Sequence, residues 1–162
     1  MKHFLPAVLL GLAVTGVSVT QAWADNTLIR SVGGTIYVPA FSTAFVSESN
    51  KQPLATILVV HNVDPKSSIS LTSVRYYGSD GGLIRTFEDT PIDLTTFQSS
   101  DFAIGLRENV GGAGANFIVE WSAEVPVVEP VANALMTGGT GTQGLSFRTD
   151  GYVIDRITEP AQ

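Results

Sequence analysis

Ser73-Val-Arg-Tyr-Tyr-Gly-Ser-Asp-Gly-Gly-Leu-Ile-Arg-Thr-Phe87 sets two β-prone runs on either side of Ser79-Asp-Gly-Gly82. β-Branched and aromatic side chains suit a pleated surface, and Asp and Gly supply the positive φ that a tight turn demands, so this stretch reads as a hairpin. Outward from it the same grammar repeats. Short runs rich in Val, Ile, Thr, Tyr and Phe are bounded by Gly, Pro, Asn and Asp, and helical periodicity is hard to find. That pattern predicts an all-β chain folded as a single antiparallel β-sandwich, immunoglobulin-like or fibronectin-like. Strands are expected at Thr35–Val38, Ala55–Asn62, Ile69–Tyr77, Leu83–Phe87, Asp101–Leu106, Phe117–Ala123, Ala132–Met136, Leu145–Arg148 and Tyr152–Ile157.

Within these runs, Thr56-Ile-Leu-Val-Val60 is continuously apolar and ends at His61-Asn-Val-Asp-Pro65, as a central buried strand running into a corner would. In Asn116-Phe-Ile-Val-Glu-Trp-Ser-Ala123, alternation places Phe117, Val119, Trp121 and Ala123 on one face, with Trp121 in the core. The two prolines of Val125-Pro-Val-Val-Glu-Pro130 suit an edge or an extended connection better than a central strand.

The N-terminus reads differently. Lys2, an apolar stretch from Phe4 to about Val19 and Ala22-Trp-Ala24 form the three parts of a cleavable export signal. Pro6, Gly11, Gly16 and several hydroxyls keep that stretch short of the roughly 20 strongly apolar residues of a membrane span. Residues 1–24 are therefore expected to be a signal peptide and residues 25–162 one domain, periplasmic or secreted after cleavage near Ala24. The remaining 138 residues suffice for one core. With no Cys, that core has no disulfide to lean on and no lipid anchor on a cysteine.

Setting Lys2 aside, eight Lys and Arg face fifteen Asp and Glu, a net charge of −7, and the cations are scattered. Nucleic acid is an unsuitable partner for such a surface. The mature chain holds one histidine, His61, and no cysteine, so most hydrolytic mechanisms lack their parts. A triad through His61 has no GxSxG elbow to serve, because Ser146 in Gly-Leu-Ser-Phe-Arg lacks the second glycine, and a strand-end histidine with a local hydrogen bond is the expectation. Gly139-Thr-Gly-Thr-Gln-Gly144 spells GxGxxG, but Leu145-Ser-Phe-Arg-Thr-Asp-Gly151 after it reads as strand and turn, whereas the dinucleotide fingerprint needs a helix to begin there. No cofactor and no metal are expected. Asn109-Val-Gly-Gly-Ala-Gly-Ala-Asn116 is a glycine-rich connection that could also hold a ligand. Glu88, Asp89 and Asp93 lack the ligand spacing of a calcium loop and read as a solvated connection.

Five segments together, Tyr37-Val-Pro39, Asn62-Val-Asp-Pro65, Thr72–Tyr77 with Asp80-Gly81, Gly111–Trp121 and Gly141–Phe147, resemble the bacterial domain-of-unknown-function family thirty-one twenty-four. The likeness spans about Tyr37 to Ile154, and Gly-Gly-Ala-Gly-Ala-Asn-Phe-Ile-Val-Glu-Trp is its most specific run. It implies an exported bacterial protein and supplies no catalytic residue. The two glycine-rich segments coincide with two of its marked stretches, which directs attention to Gly112, Asn116, Glu120, Gln143 and Gly144 as the candidate ligand or partner surface.

The expected function is a non-catalytic envelope or periplasmic binding module for a protein, glycan or small ligand, reached through loops or an open strand edge. On this reading, removing Gly111–Gly114 abolishes capture of the partner and leaves the fold intact. One alternative is a carboxylate- or metal-dependent extracytoplasmic hydrolase built on Glu88, Asp93 and Glu120, which requires those groups to converge. A second is a self-associating structural or assembly protein.

Overall fold

The computed structural model describes residues 28–87, 91–140 and 143–158. The proposed signal peptide, Glu88, Asp89 and Gly141 lie outside them. Among the described residues the chain is built from strands β1 Arg30–Pro39, β2 Thr43–Ser47, β3 Asn50–Pro53, β4 Ala55–His61, β5 Ile69–Tyr77, β6 Leu83–Thr86, β7 Ile92–Leu94, β8 Ser99–Ile104, β9 Asn116–Val128, β10 Val131–Thr140, β11 Gln143–Asp150 and β12 Tyr152–Ile157. Its one helical turn is a 3-10 turn at Asn109–Gly111. No helix among these residues is long and apolar enough to cross a membrane.

Two antiparallel sheets face each other. One has the order β12-β1-β9-β5-β6, with β7 also on β5, and the other β11-β10-β4-β8. A third element, the β2–β3 ribbon, joins β1 of the first sheet to β4 of the second. The β4–β8 and β5–β9 pairs hold the places of the B–E and C–F pairs of an immunoglobulin-type sandwich. Relative to that order the outer strands have exchanged sheets: β1 lies on β9, and β10 lies on β4. Gly151 bends the chain between β11, on β10, and β12, on β1, so one nearly continuous stretch serves both sheets.

The expected hairpin forms at the expected place. Arg75 pairs with Thr86 and Tyr77 with Leu83. The turn is closed by Gly78 N–H to Gly82 C=O at 2.9 Å, and the Asp80 Oδ1 accepts from Gly82 N–H at 3.0 Å. Alternation in β9 also holds: Phe117, Val119 and Trp121 are buried, and Asn116, Ile118, Glu120 and Ser122 face outward. With Ile36, Val38, Leu58, Val60, Val74, Tyr76 and Met136 they fill the space between the sheets.

Three expectations change. The apolar run Thr56–Val60 buries only alternate residues, because β4 belongs to a sheet with one covered face. Pro126 lies inside β9, which continues to Val128: pairing to β1 slips between Ser122–Gly33 and Val127–Ser31, and in that bulge no ladder hydrogen bond is asked of the proline. Gly139 and Gly144 stand opposite each other in the β10–β11 pair, with Thr140 opposite Gln143, so both glycines lie in strands rather than in a connection.

Candidate functional site

The first glycine-rich segment and the Asn62–Pro65 corner, at opposite ends of the sandwich, both serve packing. At one end of the sandwich the 109–115 segment folds over the hydroxyl end of Tyr76. A Cβ on Gly111 would collide with the Tyr76 phenol oxygen, and one on Gly112, which sits at φ +75°, would collide with Ser79 Oγ. Backbone bonds then lock the segment in place: Ser79 N–H donates to Gly111 C=O, Ser42 N–H to Gly112 C=O and Ala40 N–H to Ala115 C=O, all at 2.8–2.9 Å. Tyr76 is fully buried, which pushes its phenol pKa up, helped by the Glu108 charge and opposed by the Ser42 hydroxyl. Excising Gly111–Gly114 would therefore open the core over Tyr76, and the segment is not a detachable binding loop.

At the other end, Asn62 and Asp64 form a buried polar corner, each 1% exposed. Asn62 Nδ2 donates to Ser67 C=O at 2.8 Å and Leu94 C=O at 3.0 Å, and its Oδ1 accepts from Asp64 N–H at 3.0 Å. The Asp64 carboxylate accepts from the N–H groups of Val128, Lys66 and Ser67 and from Arg30 Nη1, at 2.9–3.0 Å. These bonds, Val128 N–H foremost, hold its carboxyl below the usual carboxylate range. The Asn-Val-Asp-Pro corner thus ties β1, β7 and β9 to the end of β4, from which it continues.

The five candidate surface residues separate into three places. Gly112 lies in the locked segment. Asn116 and Glu120 stand four residues apart on β9, both on the outer face of the six-stranded sheet. Gln143 and Gly144 open β11 in the four-stranded sheet. The first glycine-rich segment and Gly138, which precedes the second, both adjoin the base of the β2–β3 ribbon. Gly112 C=O is bonded to Ser42, Gly138 packs on Leu54, and Leu54 N–H donates to Ser42 C=O. Only Asn116 and Glu120 share a surface.

That surface is a polar and aromatic ladder, fixed by the strand registers. Its first row runs Pro39, Asn116, Tyr77, Leu83 across β1, β9, β5 and β6. The second runs Tyr152, Tyr37, Ile118, Arg75, Thr86 from β12 to β6. In the third, Thr35, Glu120 and Ser73 stand side by side, and Glu120 is ion-paired with Arg75 of the row above. The fourth, Gly33, Ser122, Ser70, Asp93, borders an open cleft of about 680 Å³ lined by Ser67, Ser70, Asp93, Ser122, Glu124 and Val125. The cleft lies where β9 runs on past its last pair with β5, Ser122 opposite Ser70. Neither Asp93 nor Glu124 has an ion-pair partner among the described residues.

The sequence did not disclose this face. The alternation of Ile36-Tyr37-Val38 and Tyr76-Tyr77 signals an outward tyrosine on each strand, but which strands lie side by side is not written in either run. Of the carboxylates weighed for catalysis, Asp93 lines the cleft, and Glu120 is paired with Arg75. Strand spacings of about 4.8 Å and rises of about 3.4 Å place their backbones roughly 12 Å apart. His61 ends β4 on the outer face of the other sheet, opposite Ser99 and Val131, and no hydrogen bond of its ring is seen among the described residues. Nor do the described residues contain a group of three or more His, Asp or Glu side chains that could hold a metal ion.

Comparison with known proteins adds one solved structure and one family. No curated protein matches the chain. The crystal structure of Thermotoga maritima 1070 aligns over 78% of this chain and 97% of that one, at 9% identity and a TM-score of 0.44, too low to carry an argument. The family model matches residues 33–154, which takes in both the Asn-Val-Asp-Pro corner and the glycine lock over Tyr76: the chain belongs to the family described as Protein of unknown function (DUF3124).

Proposed function

We propose that the chain is an exported, non-catalytic binding module whose recognition surface is the outer face of the six-stranded sheet, from Asn116 to the cleft beside Asp93. One observation carries this reading. Four registered strands present tyrosines, an asparagine, an ion pair and a row of hydroxyls on a rigid face that no other described element covers. Rigid elements position such groups without the ordering penalty that loops incur. The leader-like N-terminus supports an extracytoplasmic address. The hydrolase alternative needs two carboxylates converging on one pocket, whereas Glu120 is ion-paired with Arg75 outside the cleft that Asp93 lines.

A photo-crosslinking amino acid at position 116, introduced in the native host, tests the surface. Adducts are expected from position 116 and not from position 148 on the outer face of the four-stranded sheet. Equal labelling at both, or none at either, removes the assignment. N-terminal sequencing of the protein recovered from the cell envelope or medium checks the address, with Asp25 expected as the first residue.

A further inference from the structure

We infer that this face is a saccharide-binding platform, taking a neutral oligosaccharide laid across β12, β1, β9 and β5. The inference rests on the reading of the face as the recognition surface and adds the chemistry of what lies on it. A sugar ring offers an apolar C–H face and a rim of hydroxyls, so its complement is an aromatic ring flanked by side chains that both donate and accept hydrogen bonds. Tyr152 and Tyr37 are direct cross-strand partners, and Tyr77 lies two strands and two residues from Tyr37. Strand spacing and rise make that last separation roughly 12 Å, comparable with the length of a disaccharide. On the strand between Tyr37 and Tyr77 stand Asn116, directly opposite Tyr77, and Ile118, directly opposite Tyr37, and the Arg75–Glu120 pair lies beside them.

The electrostatics select among saccharides. Arg75 is neutralised by Glu120, the cleft at the end of the ladder carries Asp93 and Glu124 with no Lys, Arg or His in its lining, and the chain beyond the leader has a net charge of −7. Phosphorylated, sulfated or uronic-acid polymers meet repulsion there, while the cleft carboxylates and serines accept hydrogen bonds from hydroxyls. By strand register the large apolar side chains of the four rows are Ile118, Leu83 and, opposite Gly33 on the β12 edge, Ile157, dispersed over three non-adjacent strands rather than gathered into the apolar centre of a protein interface.

The test uses the exported protein, expressed with its own leader and purified after processing. Calorimetric titration with β-1,4-linked hexasaccharides of glucose, xylose and N-acetylglucosamine, and with maltohexaose, is expected to give saturable binding to at least one. Tyr152 is 62% exposed, so Tyr152→Ala leaves the fold intact. It is expected to weaken binding about tenfold by removing one aromatic contact, with Tyr152→Phe within about twofold of the parent. Arg148→Ala on the opposite sheet changes nothing. No binding to any of the four probes, or binding indifferent to Tyr152→Ala, overturns the proposal. If position 116 still yields specific adducts while the four saccharides fail, the face is a recognition surface for something else. If both fail, the reading of the face falls with it.

Discussion

Replacing Asp64 by alanine should unfold the corner that unites four strands. The carboxylate is 1% exposed and accepts four hydrogen bonds. Lys66 and Ser67 lie in an open turn, and the Arg30 side chain is 46% exposed, so those partners can turn to water. Val128 N–H is held under the corner and cannot. Losing a charge-assisted bond and stranding a donor costs about 1–3 kcal/mol, the turn bonds add about 1 kcal/mol each, and the total is about 3–5 kcal/mol. Against a net stability of about 5–15 kcal/mol for a domain, that is a large share, seen as a fall in Tm of roughly 10–20 °C. The pH dependence carries a second signature. The folded carboxyl pKa is depressed, by Val128 N–H first and by Lys66, Ser67 and Arg30 after it. Its stabilisation is therefore present above the unfolded carboxylate value, for which 3.8 is the reference, and is lost as pH falls through the lower folded value. Asp64→Asn retains one acceptor oxygen and should lose about half as much stability at neutral pH, while flattening the acid limb of the stability curve. Beyond residue 24, Trp121 is the one tryptophan and it is buried, so urea unfolding of a protein beginning at Asp25, followed by its emission at neutral pH and near pH 3, reads both effects. An Asp64→Ala protein within about 1 kcal/mol of the parent, or an unchanged acid slope in Asp64→Asn, would refute this account of the corner.

Gly111→Ala should destabilise by about 1–3 kcal/mol through its collision with the Tyr76 hydroxyl, and Tyr76→Phe in the same chain should recover part of that loss in a double-mutant unfolding cycle. Phe117→Ala, at a fully buried position packed against Tyr76 with ring centroids 4.8 Å apart, should cost about 3–5 kcal/mol by the same measurement. Glu120→Ala breaks a pair whose side chains are 41% and 32% exposed, and should change stability by no more than about 1 kcal/mol, a loss that shrinks in high salt.

Much of the fold was legible because strand alternation and turn chemistry are local. Ile69–Tyr77 and Tyr152–Ile157 coincide with their expected limits, and Asp80 sits in the turn where it was read. The misses have a common cause. Thr43–Pro53 pairs as a ribbon whose residues are largely exposed, so no buried face imposed a pattern on its sequence. Pro126 reads as a strand breaker until a bulge relieves it of pairing. The candidate site was less legible: Gly112 and Gly144 were singled out as possible ligand contacts, and the glycines of the first segment prove to be there because Tyr76 and Ser79 leave no room for a side chain.

By itself the sequence determined the class of fold, the absence of disulfides and a net negative charge, all of which follow from composition and from periods of a few residues. Only the tertiary structure decided that β1 lies on β9 and β12 on β1, and hence that Tyr37, Tyr152, Tyr77 and Asn116 share one face. Which strands become neighbours depends on how two sheets bury their common core. That core is assembled from residues as far apart as Ile36 and Met136, and no local run of residues encodes the pairing.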